Sequence, residues 1–222
     1  MDWKLIMIYL VAGVTAYILA GINPAIVLSK AIYKEDIRYN KNGSGNPGFT
    51  NFKRVYGGKW AWLVMALDIG KCVLILAVVG AVFGKYAREN GIEYDLRQIG
   101  IAFTTLCASI GHDYPIWYEF KGGKGFLVNI AALWFYDWRA GLVGVLLLCL
   151  LLFTLKYMSV ATMVAILSAP VTLFIVGAET WTIVLSLVSA ILLIFRHKEN
   201  IKRLMSGTER KFSFNKQPSE GH

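Results

Sequence analysis

The sequence predicts an all-α protein, a polytopic helix bundle that crosses a membrane seven times. Three observations lead there. Hydrophobic residues make up 56% of the 222 positions, more than a soluble core of this size requires. The run from Leu5 to Ser29 carries no charged residue, and a hydrocarbon core needs about 20 apolar residues in helix. Further apolar windows then recur along the chain, separated by short strings rich in Gly, Asn, Asp and Lys.

The first window is not a cleaved leader. A signal h-region is roughly 7–15 residues long and ends at a small-residue cleavage site, whereas this segment runs on through Gly21, Asn23 and Pro24 into Lys30. The next windows are Trp60 to Phe83, Gln98 to Trp117, Gly125 to Tyr136, Ala140 to Leu155, Tyr157 to Val176 and Thr180 to Phe195. The Gly125 window is short for a full crossing, so it is tilted or joined to the preceding loop, and a count of six remains open. One domain is expected over 1–212, followed by a polar tail over 213–222 with no apolar periodicity.

Charge fixes the orientation. With the N-terminus outside, the cytoplasmic stretches hold Lys30, Lys34, Arg38, Lys41, Lys53, Arg54, Lys59, Lys121, Lys124, Lys156 and the basic residues after Phe195. The opposite side receives Lys4, Lys85, Arg88, Arg97 and Arg139. The positive-inside rule therefore predicts a cytoplasmic C-terminus. The net charge of +9 is then a basic face over anionic lipid, and no basic run has a nucleic-acid-reading pattern.

That topology gathers the polar strings on one side. GSGNPGFTN (Gly43 to Asn51) and GHDYPIWYEFKGGKG (Gly111 to Gly125) are both suited to phosphate. Glycine admits positive φ and lets successive N–H groups face an anion, while Ser44, Asn46, Thr50, Asn51, Lys121 and Lys124 add donors around Gly45, Gly122 and Gly123. Tyr157-Met158-Ser159 and RHKENIKRL (Arg196 to Leu204) join them, the arrangement of a loop-built active site on a rigid scaffold.

Competing readings stand beside each motif. GSGNPGFTN has the composition of an ordinary turn, and KGGKG that of a basic tether on headgroups. Two lysines around Gly-Gly at a helix start nevertheless add cations to a dipole end that attracts anions. A nucleotide P-loop is excluded, because neither GxxxxGK[ST] nor a preceding strand occurs. Asp68 and Lys71, three apart in one helix, read first as a structural ion pair. His112 and His197 each read first as structural, but His197 and Asn200 share a helical face. Cys72, Cys107 and Cys149 lie in apolar windows without metal spacing, and neither HExxH nor a carboxylate cluster occurs, so no metal or cofactor is expected.

Taken together, these strings resemble one family. Asp36-Ile37-Arg38 with GSGNPGFTN, then GHDYPIWYEFKGGKG, then RHKENIKRL with Gly207-Thr208-Glu209 are similar to the three cytoplasmic motifs of the bacterial acyl-phosphate:glycerol-3-phosphate acyltransferases, the PlsY family. The likeness extends to GINPA (Gly21 to Ala25), to LDIGK (Leu67 to Lys71) and to Tyr157/Ser159. It implies a seven-helix inner-membrane enzyme, expected to act as a monomer. The enzyme moves a fatty acyl group from acyl phosphate to the 1-hydroxyl of glycerol 3-phosphate, giving lysophosphatidic acid and phosphate.

By that resemblance Ser44, Lys124, Ser159, His197 and Asn200 are the catalytic positions. Arg54 and Lys124 hold phosphate, Ser44 with the Gly45/Asn46 backbone meets phosphate or carbonyl oxygen, and Ser159, His197 and Asn200 complete the acceptor site. Arg38, Thr50, Asn51, His112, Lys121, Gly122 and Gly123 join the binding set. The HxxxxD dyad of thioester-using acyltransferases is absent: Trp117 and Lys202 stand where the aspartate would follow His112 and His197. The donor's own phosphate is then the expected proton acceptor. The chain departs from the family in placing Phe49, Cys72, Phe126, Leu127 and Val128 where smaller residues are usual. The alternative class is a carrier or channel for a phosphorylated solute, which needs a site reachable from both faces.

Overall fold

Ten α-helices run in chain order through the computed structural model, which describes residues 2–213. They are α1 (Trp3–Ala20), α2 (Pro24–Tyr33), α3 (Phe49–Tyr56), α4 (Gly58–Glu89), α5 (Leu96–Asp113), α6 (Phe126–Tyr136), α7 (Trp138–Leu155), α8 (Met158–Ile175), α9 (Thr180–Arg196) and α10 (Lys198–Met205). No strand occurs among the described residues. Beyond Ser213, the polar tail lies outside them.

All seven apolar windows are helical, with one correction. The first is two helices, because Gly21 ends α1, while Asn23 caps α2 by accepting from the Ile26 N–H and Pro24 stands in its first turn. The GINPA string is therefore a break. By length and composition four stretches among the described residues can cross a membrane: Trp3–Tyr33, Gly58–Glu89, Trp138–Leu155 and Met158–Ile175. Helices α9 and α10, bent by 57°, make a fifth if taken as one span. Helix α5 is less apolar than these, because Arg97 and the buried Gln98, Thr104, Thr105, Ser109, His112 and Asp113 lower its hydropathy. The 11 residues of α6 extend about 16 Å, roughly half a hydrocarbon core.

Hydrogen bonds define two ends of the bundle. At one, Gln98 Nε2 donates to Tyr136 O at 2.9 Å, Asp95 N donates to Glu179 Oε1 at 3.1 Å, and Tyr86 OH binds Asp2. Asp2, Asp95 and Asp137 cap α1, α5 and α7 by accepting from first-turn amides. The motif strings meet at the other end, the motif end. Between the two ends, α5 and α6 pack among their neighbours, with Ile101, Ile130, Leu133, Ile166 and Leu193 in one buried cluster. A separate cluster of Ile26, Ile37, Phe52, Ala61 and Val64 seats α2 and α3 on the first turns of α4.

Asp68 and Lys71 behave as the structural pair. Lys71 Nζ stands 2.8 Å from Asp68 Oδ1 and donates at 2.7 Å to both Ala20 O and Ile22 O, so its three protons serve two carbonyls at the α1–α2 break and one carboxylate. Removing one partner of a buried pair leaves the other uncompensated. Lys71→Met is therefore expected to destabilise the protein by about 3–5 kcal/mol, read as a lower thermal midpoint in detergent. A midpoint equal to that of the parent protein would remove the pair from the fold's support.

Candidate functional site

The Lys121–Gly125 stretch lies along the end of α5. Gly123 N donates to His112 O at 3.0 Å and Gly122 N to Asp113 O at 3.1 Å. A Cβ on Gly122 would fall 2.1 Å from His112 O, and one on Gly123 would fall 2.1 Å from His112 Nε2. The glycines are thus required for close approach of two backbones, and these two amides are spent inside the protein. From the other side the Arg196 fork donates to Gly123 O at 2.8 and 3.1 Å and to Gly122 O at 3.3 Å, with its guanidinium over the Tyr114 ring. Arg38 pins the start of the loop, donating to Tyr118 O at 2.9 Å and Lys121 O at 3.3 Å while pairing with Asp36 at 2.7 Å. Arg38 thus serves the scaffold, and Lys121 pairs with Glu119 on the surface at 3.1 Å.

So held, the loop brings Lys124 to the centre of the motif end, called the cleft below, where its ammonium donates to Asn200 Oδ1. Asn200 Nδ2 donates to Glu209 Oε1 at 2.7 Å, Ser159 Oγ to the same oxygen at 2.8 Å, and Arg203 Nε to Glu209 Oε2 at 2.7 Å. The turn that brings Glu209 back is encoded locally. Gly207 has φ +70°, and Thr208 N and Gly207 N donate to Arg203 O and Leu204 O, closing α10.

The GSGNPGFTN string forms the adjoining wall. Asn23 Nδ2 donates to Pro47 O at 3.0 Å, tying it to the α1–α2 break. Asn51 Oδ1 accepts from Ser44 N at 2.7 Å and from Arg54 Nη1 at 3.4 Å, and the buried Asn51 Nδ2 has no partner. Gly45 takes φ +76°, Asn46 O accepts from Gly48 N, and Thr50 is half-buried in the first turn of α3. Asp113 is buried with neither carboxylate oxygen hydrogen-bonded, 4.0 Å from Arg196 Nε, and His112 Nδ1 is 3.7 Å from Asp68 Oδ1.

Electrostatics mark the cleft for an anion. Burial pushes the Lys124 ammonium down to about 8, with Arg203, Arg196 and Arg54 acting the same way and Glu209 opposing them. Burial, and then Arg210 and Arg203, also lower Arg54 against Glu209. Burial works to raise Glu209, but hydrogen bonds from Asn200, Arg203 and Ser159 prevail and hold it below the usual carboxylate range. Helices α3, α6, α8 and α10 all begin here, and none has a side-chain cap.

His197 is neutral, because burial and the nearby Lys124 push it down to about 4. Its Nδ1 lies 2.8 Å from Leu193 O, which can only accept, so Nδ1 carries the proton and Nε2, 3.5 Å from Thr162 Oγ1, offers a lone pair. So weak a base is poorly matched to proton abstraction near neutrality but can accept a hydroxyl hydrogen bond. His197→Ala should lower kcat/KM by about tenfold, the worth of roughly one hydrogen bond. The pH profile of the parent should show, in the ordinary histidine range, only the inflection of a phosphate substrate's own second ionisation, which His197→Ala leaves in place. Full activity in the variant would take His197 out of the site.

The structure thus assembles Arg54, Lys124, Ser159, His197 and Asn200, with Ser44 and Asn51 joined to Arg54. It adds Arg196, Arg203 and Glu209, which the site reading of the sequence did not include. The signal for Glu209 was the glycine two residues before it.

A cationic cluster at one end of an apolar helix bundle defines an integral membrane protein suited to anionic substrates. Comparison with known proteins makes this specific. The family model described as glycerol-3-phosphate acyltransferase matches residues 10–207. Curated glycerol-3-phosphate acyltransferases from Thermoanaerobacter pseudethanolicus (32% identical, 92% of this chain and 96% of the relative) and Coxiella burnetii (30%, 92% and 98%) are similar over nearly the whole length. The crystal structure of PlsY, an integral membrane glycerol 3-phosphate acyltransferase, in its glycerol 3-phosphate form superposes with a TM-score of 0.80 at 31% identity, covering 92% of this chain and 96% of that one. The lysophosphatidic acid form gives 0.76 at 30% identity, covering 92% and 95%. The chain belongs to the glycerol-3-phosphate acyltransferase family, of the PlsY type.

Proposed function

We propose that the protein transfers a fatty acyl group from acyl phosphate to the 1-hydroxyl of glycerol 3-phosphate, giving lysophosphatidic acid and inorganic phosphate. The observation that carries this is a cluster of cations: Lys124, Arg54 and Arg203 lie about Glu209, and Arg196 lies beside Lys124 and the buried Asp113, so four positive groups outnumber two carboxyl groups and leave net positive charge for phosphate. The solved PlsY forms with glycerol 3-phosphate and lysophosphatidic acid support this acceptor and product.

In this reading Lys124 and Arg54 neutralise phosphate, and Ser44 with the Gly45/Asn46 backbone meets the phosphate or the carbonyl oxygen. Ser159, His197 and Asn200 receive the acceptor. The acceptor hydroxyl oxygen attacks the acyl carbonyl carbon, and the bond from that carbon to the phosphate oxygen breaks. The hydroxyl proton passes to the departing phosphate, since His197 is too weak a base to take it. Catalysis then comes from positioning and charge stabilisation. The membrane arrangement is seven crossings with the N-terminus outside and the cleft on the cytoplasmic face of the bacterial inner membrane, as the basic residues of the motif end favour. The protein acts as a monomer.

Detergent-purified protein given palmitoyl phosphate and glycerol 3-phosphate is expected to release phosphate and lysophosphatidic acid in equal amounts. Products from an acyl thioester but not from acyl phosphate would overturn the donor. Uptake of glycerol 3-phosphate by vesicles carrying the protein, with no acyl product, would establish the carrier instead.

A further inference from the structure

We infer that Glu209 is a positioning residue of this cleft: its carboxylate orients Asn200 and Ser159 and thereby aims the Lys124 ammonium at the substrate phosphate. The inference rests on the acyl-transfer reading for its substrate, and on four hydrogen bonds for its geometry.

An asparagine amide has two ends of opposite character, and its orientation is set by its partners. Here one end is fixed by charge. Glu209 Oε1 is an acceptor, so the Asn200 group 2.7 Å from it is the donor Nδ2. Oδ1 must then face the other way, toward Lys124, whose ammonium can only donate. A neutral acceptor holds an ammonium in place without consuming its charge, which a direct Lys124–Glu209 ion pair would do. Ser159 is handled alike: its proton points at Oε1, leaving the hydroxyl lone pairs for a donor on the substrate.

The carboxylate is itself over-determined. Its side chain is 8% exposed, Arg203 Nε holds Oε2 at 2.7 Å, and the closed turn at Gly207 fixes its backbone. The strap then continues to Phe212, whose N–H donates to Lys156 O at 2.6 Å beside the start of α8. A substrate anion therefore meets a prearranged set of donors.

Groups facing Lys124 come from every wall: Arg54 on α3, Asp113 at the end of α5, Arg196 at the end of α9, His197 beyond it, Arg203 on α10, and Glu209. The positive ones favour loss of its proton, and Glu209 favours its retention. Glu209→Gln keeps the shape and removes the charge, so Lys124 should lose its proton at lower pH. Arg203→Met removes a positive neighbour and should act the opposite way.

The test is calorimetric binding of glycerol 3-phosphate to detergent-purified protein from neutral to alkaline pH, with monodispersity checked for each variant. The ligand's own ionisation is common to all and cancels. Binding should weaken as pH rises through the titration of Lys124. In Glu209→Gln that limb should move acidward by about two pH units, the effect of a single charge several ångströms away at an effective dielectric near 20. In Arg203→Met it should move to higher pH. An unmoved limb in Glu209→Gln overturns the inference, as does tighter binding at every pH, which would make the carboxylate a competitor in the phosphate seat. If Glu209→Gln does not yield folded protein, Glu209→Asp takes its place: it keeps the charge but draws it back from Asn200 and Ser159, and an unchanged affinity for glycerol 3-phosphate in that variant overturns the inference. Binding is read without acyl transfer, so a parent protein inactive with acyl phosphate would cancel the donor assignment and leave this result standing.

Discussion

Lys124→Ala is expected to lower acyl transfer by about 10²–10³-fold, the usual loss when one preorganised charge donor is taken from a water-poor site. The reason is that the ammonium makes no direct ion pair with a carboxylate. Its hydrogen-bond partner is the neutral Asn200 amide, so its charge stays available to a phosphate, and burial strengthens the interaction. The fold should tolerate the change. Lys124 lies in the loop before α6, and the loop is held by the Gly122 and Gly123 amides and by Arg196, none of which the substitution touches. The check is kcat and KM on protein whose thermal midpoint matches that of the parent. Activity within a few-fold of the parent would show that phosphate is held elsewhere.

Gly122→Ala is expected to act through the same lysine from a distance. The new Cβ would lie 2.1 Å from His112 O, 2.9 Å from Asp113 O and 2.5 Å from Pro115 Cδ. Two of these neighbours are main-chain atoms at the end of a packed helix and cannot swing aside. The loop must lift, breaking its bonds to His112 O and Asp113 O and carrying Lys124 out of register with Asn200. A displacement near 1 Å at a reacting site costs about 10²-fold. A rise in KM for glycerol 3-phosphate should dominate, because it is the phosphate contact that moves. Steady-state kinetics over a range of acceptor concentrations decides this. An unchanged KM would separate the loop's seat from the placement of Lys124.

The same glycine illustrates how far the sequence could be read. KGGKG advertises a special backbone, and the sequence suggests amides turned to an anion. In the structure those amides face α5, and the glycines serve closeness. Glycine permits both uses, and the choice depends on what lies 3 Å away, which is set by a helix that ended nine residues earlier. Asp68 and Lys71 were legible as a pair from their spacing, but their work on the α1 carbonyls was not, since Ala20 and Ile22 are remote in sequence. Arg38 stood inside a motif suited to phosphate and became a clamp on the loop.

The sequence by itself determined the helices, because apolar runs, Asp and Asn caps, Pro24 and the turn glycines act over a few residues. It also determined which strings carry the chemistry and their resemblance to an acyltransferase family. Tertiary structure alone decided the docking of Lys71 on the Ala20 and Ile22 carbonyls, the seat of the glycine loop, and the linkage from Glu209 through Asn200 to Lys124. Those contacts join residues as far as 76 positions apart, and a hydrogen bond or close approach between such residues exists only once packing has brought their elements together.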